Sequence, residues 1–178
     1  MVKKPSDTEN KPGNITVLSV GPVEQDHLAL SEIISSSQWP LCPGFQWTLK
    51  TSPDLSSALA DLTEGKIQIV ICESDLGAGS WKELWAHLSS QSDPPFLIVT
   101  SRLADEYLWA EALNLGAYDV LSKPFDATEV VRTLSQAGLH RSYRHLHRPA
   151  TAVGHPQPAF ASQRHAAVSI PVPVSAEP

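Results

Sequence analysis

The sequence predicts a doubly wound α/β domain, a five-stranded parallel sheet with five helices. Three observations predict it. Short, largely apolar runs rich in β-branched residues recur along the first 140 residues. Helix-length amphipathic segments alternate with them. Turn residues and short loops separate the two kinds of segment, the pattern of βαβ units whose right-handed crossovers place helices on both faces of a sheet.

Residues 1–13 are Lys-, Pro- and Asn-rich without periodicity and read as a disordered lead. The β-branched run at 15–20 is a buried strand candidate, ended by Gly21-Pro22. A helix is expected over 24–36, with Leu28, Leu30, Ile33 and Ile34 as apolar positions and acids in its first turn. Trp39-Pro40 and Pro43-Gly44 mark a loop before a weaker strand at 45–49. Ser52-Pro53-Asp54 then opens a helix, with Ser52 as cap and Pro53 at the first helical position. Leu55, Leu59 and Leu62 share a face there, and Gly65 closes it.

The run at 67–72 is nearly continuous in apolar residues, as a central parallel strand buried on both faces requires. A helix carrying Leu84, Trp85 and Leu88 follows the loop at 73–80. Then come a strand at 96–100, a helix over 104–115 stopped by Gly116, and a strand at 118–122. Asp126-Ala127-Thr128-Glu129 is a capping-box pattern with Asp in the Ser/Thr role, and it opens a last helix with Val130, Val131, Leu134 and Ala137. The domain is expected to span 14–140. Residues 141–178, with scattered Pro, Ala, Ser and His, read as a disordered tail.

Composition narrows the function classes. No apolar run approaches the ~18 residues of a membrane span, and the polar N-terminus does not read as a secretory signal. Cys42 and Cys72 make neither a disulfide framework nor a metal site, and Cys72 reads as a reduced core residue. A cytoplasmic protein is the simplest expectation. Residues 1–139 carry 9 Lys/Arg against 18 Asp/Glu, a net −9, while 140–178 carry four Arg against Glu177, a net +3. An acidic domain argues against nucleic-acid binding by the domain itself.

Over residues 14–139 the chain resembles the response-regulator receiver family of two-component signalling, whose fold is flavodoxin-like. Gly116-Ala117-Tyr118-Asp119-Val120-Leu121-Ser122-Lys123-Pro124-Phe125 resembles that family's stretch from the fourth helix to the lysine–proline pair after the fifth strand. The stretch at 95–101 resembles its fourth strand with a terminal hydroxyl. The resemblance implies an aspartate nucleophile at the end of the third strand and a Mg²⁺ held partly by an acidic pair after the first. It also implies a lysine and a hydroxyl around the phosphoryl group, a cis Lys–Pro bond and an aromatic switch in the fifth strand.

Carried over by position, Thr100, Lys123 and Pro124 match the anion pocket. Glu73 occupies the acceptor position, Gly21 and Pro22 the acidic pair, Val120 the aromatic switch, and Gly77 the place of a usual proline. The expectation is therefore a pseudo-receiver, not an enzyme and without a catalytic residue, in which Glu73 stands in for a charged acceptor. No cofactor is expected, since the missing acidic pair makes Mg²⁺ binding doubtful. Its partner would be a histidine kinase or a downstream regulator, or a second copy of the chain, with no membrane contact. A genuine phosphoacceptor with an altered site and a noncanonical donor, and a small-anion module, are the alternatives; Asp75, two residues on, is a lesser candidate for a displaced acceptor.

Several side chains have plainer readings. Glu24 and Asp26 read as helix-dipole partners more than replacement metal ligands. Trp81 and Trp85 read as core or half-buried anchors. Leu108 and Ala112 share a face that leaves Trp109 partly exposed, so Trp109 and Val120 are candidates for a partner surface. His140, His145 and His147 with Arg141, Arg144 and Arg148 read as a solvated basic end, with a patch for an acidic partner as the sharper reading.

Overall fold

The computed structural model describes residues 13–146, apart from positions 38, 40–43, 65 and 78. Five strands form one parallel sheet: β1 (Asn14–Val20), β2 (Gln46–Ser52), β3 (Ile69–Glu73), β4 (Phe96–Ser101) and β5 (Asp119–Ser122). They alternate with α1 (Glu24–Ser36), α2 (Leu55–Glu64), α3 (Trp81–Ser89), α4 (Glu106–Leu115) and α5 (Ala127–Leu146). The strand order is β2-β1-β3-β4-β5. The order reverses at β1 and β3, which opens a crevice at the carboxyl rim between them.

Side-chain alternation along the strands divides the core in two. Leu18, Val20, Val70, Cys72, Leu97, Val99 and Val120 face α2, α3 and α4, meeting Ala58, Trp81, Leu84, Leu88 and Ala112. Ile15, Val17, Ile69, Ile71, Ile98 and Leu121 face the other way, against Leu30 and Ile34 of α1 and Val130, Leu134 and Ala137 of α5. Strands buried on both faces explain the nearly unbroken apolar runs of β3 and β4.

Local sequence sets the boundaries. The Asp126 carboxylate accepts from the Glu129 amide at 2.9 Å, as a cap of α5. Gly116 ends α4 in the left-handed region, φ 105°, which a side chain would resist. The structure corrects the cap of α2. Asp54 holds the Ser57 amide at 2.8 Å, while Ser52 belongs to β2 and its buried hydroxyl donates to Asp61 at 2.6 Å. The expected closure at Gly65 lies outside the described residues.

Three further expectations change. Val120, a candidate for a partner surface, is fully buried in the α2–α3–α4 core, because inward alternation in β5 leaves it no route to solvent. The expected domain end at 140 falls inside α5, which runs on to Leu146. Arg141, read as part of a solvated end, is 6% exposed. Its guanidinium donates to the Pro94 carbonyl at 2.8 Å and to the Asp93 carboxylate at 2.7 Å, just before β4. Arg144 lies 3.7 Å from the other Asp93 oxygen and over the Phe96 ring, and His140 pairs with the Tyr118 hydroxyl at 2.8 Å. His147, Arg148, the His145 side chain and the expected lead at 1–12 and tail at 149–178 lie outside the described residues.

The Arg141 clamp should therefore carry stability. A chain ending at residue 140 should lose about 2–4 kcal/mol in chemical denaturation relative to one ending at 146. Arg141→Ala in the full chain should lose a comparable amount.

Candidate crevice at the carboxyl rim of the sheet

The rim is aligned by strand register. Val20 pairs with Cys72, Glu73 with Thr100, and Ser101 with Ser122. The residue after Ser122 is Lys123, whose amide donates to the Ser101 carbonyl at 2.9 Å. Glu73, Thr100 and Lys123 thus meet at one end of the sheet, although 50 positions separate the first and last. The Lys123–Pro124 bond is cis, as the resemblance implied.

The Lys123 side chain is only 4% exposed, and its ammonium bridges two carboxylates. It ion-pairs with Glu73 Oε2 on β3 and donates to Asp26 Oδ2 on α1 at 2.5 Å. A buried ammonium needs such partners, because desolvation costs more than an isolated charge can recover. Both carboxylates are themselves largely covered, Glu73 15% and Asp26 20% exposed. Asp26 also faces Arg102, which follows β4, at 3.7 Å. Asp26 is thus a site residue, beyond its reading as a dipole partner. Its place in the first turn of α1 was in the sequence, but nothing in the sequence showed that α1 aims it across the crevice at Lys123.

Thr100 reaches the site beside Glu73, its partner in the strand register. Its buried hydroxyl donates to the Cys72 carbonyl at 3.4 Å. Glu73 Oε1 receives a long contact from the Ser74 hydroxyl, 3.5 Å. Gly21 is where a side chain would crowd Glu73, since a Cβ there would lie 3.3 Å from the Glu73 Cβ. His27, unremarked in the sequence, fills the β1–α1 corner. Its Nε2–H donates to the Gly21 carbonyl at 2.9 Å, since a carbonyl can only accept, and Nδ1 pairs with the Ser19 hydroxyl at 2.8 Å.

This donor set does not fit the Mg²⁺ that the resemblance implies. Mg²⁺ needs near-octahedral oxygen ligands. The two carboxylates in the crevice are engaged by Lys123, Gly21 and Pro22 supply no side-chain oxygen, and His27 uses the Gly21 carbonyl. Among the described residues, no group of three or more His, Cys, Asp or Glu side chains is placed to hold a metal ion.

A family model for the response regulator receiver domain matches residues 39–135, more than half of the chain. The chain belongs to the response regulator receiver domain family. Its sequence is 29% identical over 76 residues to the regulatory protein VirG of Agrobacterium tumefaciens (strain 15955), covering 43% of this chain and 28% of that relative. The signal receiver domain of an HD domain-containing protein from Pseudomonas fluorescens Pf-5 superposes with TM-score 0.62 at 27% identity, over 73% of this chain and 98% of that one. The chemotaxis response regulator CheY4 of Vibrio cholerae shares the fold, with TM-score 0.58 at 18% identity over 69% and 98% of the two chains. Residues 39–135 are thus a receiver domain of two-component signalling, a class that works through signalling partners such as kinases and regulators. No described helix is long and apolar enough to cross a membrane.

Two other acids lie near this receiver's rim. Asp75 binds its own loop, accepting from the Gly77 amide at 2.8 Å. Glu24 remains exposed at the start of α1. Trp109 is half-buried against the core with Leu108 and Ala104. The apolar side chains presented near the start of α4 are instead Leu103, 81% exposed, and Tyr107, 76% exposed. No pattern in the sequence marks either as exposed.

Cys72 sits beneath the rim, and burial pushes its thiol up to about 12, opposed in part by nearby Lys123. A thiol raised above its ordinary value favours the folded state fully below about pH 9, and that stability fades as pH climbs toward 12. At pH 8 the native protein should resist iodoacetamide at Cys72, read by site-resolved mass spectrometry, and label there only when unfolded.

Proposed function

We propose that this receiver is an adaptor that acts by binding a signalling protein, with Glu73 as a fixed negative charge where the family carries a phosphoacceptor aspartate. The observation that carries this reading is the ion pair between Glu73 and a nearly fully buried Lys123. In the family's chemistry the lysine serves an anion that comes and goes. Here Glu73 and Asp26 are its ion-pair partners. A glutamate carboxylate also reaches one methylene further than an aspartate, toward the lysine.

In this reading the receiver has no enzymatic activity and works in the cytoplasm. Its partner is a histidine kinase or a downstream regulator, and a second copy of the chain is the other option. The partner docks at the start of α4, where Leu103 of the preceding connection and Tyr107 of the helix offer exposed apolar surface. The alternatives draw less support. Asp75, the candidate for a displaced acceptor, is held by the Gly77 amide. An anion entering the crevice would have to displace two carboxylates from Lys123.

The test is incubation of the full chain with acetyl phosphate and Mg²⁺, followed by intact mass. The adaptor reading expects no added phosphoryl group. A stable gain of one would contradict it.

A further inference from the structure

The charges of the crevice continue to the surface in one alternating row. Glu73 pairs with Lys123, Lys123 with Asp26, and Asp26 Oδ1 faces the Arg102 guanidinium at 3.7 Å. The four residues come from the ends of β3 and β5, from α1, and from the connection between β4 and α4. Arg102 is 67% exposed, and Leu103, the most exposed large apolar residue described, follows it.

We propose that Asp26 is a positioning residue that ties the β4–α4 connection, and with it the apolar surface at the start of α4, to the buried Lys123. This inference rests on the adaptor reading for its consequence, a docking surface held in one conformation, but the link itself is independent of it. An exposed ion pair at 3.7 Å is weak alone, because two mobile side chains must be ordered to make it. Here one partner is already ordered. Asp26 is held by Lys123 at 2.5 Å, so only the Arg102 side chain gives up freedom.

The local backbone lets one side chain matter. The Ser101 hydroxyl accepts from the Leu103 amide at 3.1 Å, and the Leu103 carbonyl accepts from the Asp105 amide at 2.8 Å. The connection is thus a short series of local turns. Beside the packing of Ala104 on the core, its described polar ties to the other elements of the rim are the Ser101 carbonyl, held by the Lys123 amide, and Arg102. Lys123 therefore anchors this segment twice, by its amide directly and by its ammonium through Asp26.

Amide hydrogen exchange on the full chain tests the link. Arg102→Ala should speed exchange of the amides at 102–107 about two- to fivefold, the range an ion pair of this kind supports. Asp26→Asn should do the same, and the double variant should add nothing beyond the larger single effect. Lys82→Ala, which removes the α3–α4 ion pair with Glu111, should leave these amides unchanged. Arg102 is exposed enough that its variant will fold, so unchanged exchange at 102–107 in Arg102→Ala would overturn the proposal. Additive effects in the double variant would overturn it too. A phosphoryl gain in the mass experiment alongside the expected exchange pattern would sink the adaptor reading and leave the link standing.

Discussion

The structure turns on one buried ammonium. Lys123 comes from the end of β5, is 4% exposed, and finds its compensating charges on two other elements, Glu73 at the end of β3 and Asp26 in α1. No local interaction could satisfy it. Folding must bring 26, 73 and 123 together, which requires the parallel order β2-β1-β3-β4-β5 and its reversal at the rim. Two carboxylates on one ammonium leave a local excess of one negative charge, and Arg102 lies at the surface where that excess is met.

The helices serve the same geometry. α5 runs from the carboxyl rim back along the sheet, and a buried cation fixes it near each end. Lys123 stands just before its start, and Arg141 near its finish grips the Asp93-Pro94 turn that leads into β4. Between them Val130, Leu134 and Ala137 press on Ile69, Ile71 and Leu121. The His27 bridge between Ser19 and the Gly21 carbonyl holds the opposite wall, so that α1 presents Asp26 to the crevice.

Most of the fold was legible because binary pattern and turn chemistry agree along the chain. The strands read from their β-branched runs, α1 and α4 from their apolar spacing, and α5 from the Asp126 cap. The convergence of Glu73, Thr100 and Lys123 was legible from the parallel sheet, whose carboxyl strand ends share one rim, and the resemblance supplied their roles. What escaped depends on direction. Asp26 and Glu24 are both acids in one helical turn, and only tertiary packing sends the first inward. Leu103 and Tyr107 are apolar residues that the fold leaves outside, and Val120 is one that it takes inside. Arg141 looked solvated because charged residues so often are; its burial rests on Asp93, 48 positions away.

The central claim, that Lys123 is anchored between Asp26 and Glu73 and organises the rim, is tested most directly by chemical denaturation of Lys123→Met beside the triple variant with Asp26→Asn and Glu73→Gln. The single replacement leaves two carboxylates facing each other without a cation and should lose about 2–4 kcal/mol. The triple replacement removes the stranded charges and should recover most of that loss. A single variant as stable as the parent, or a triple variant no better than the single, would contradict the account.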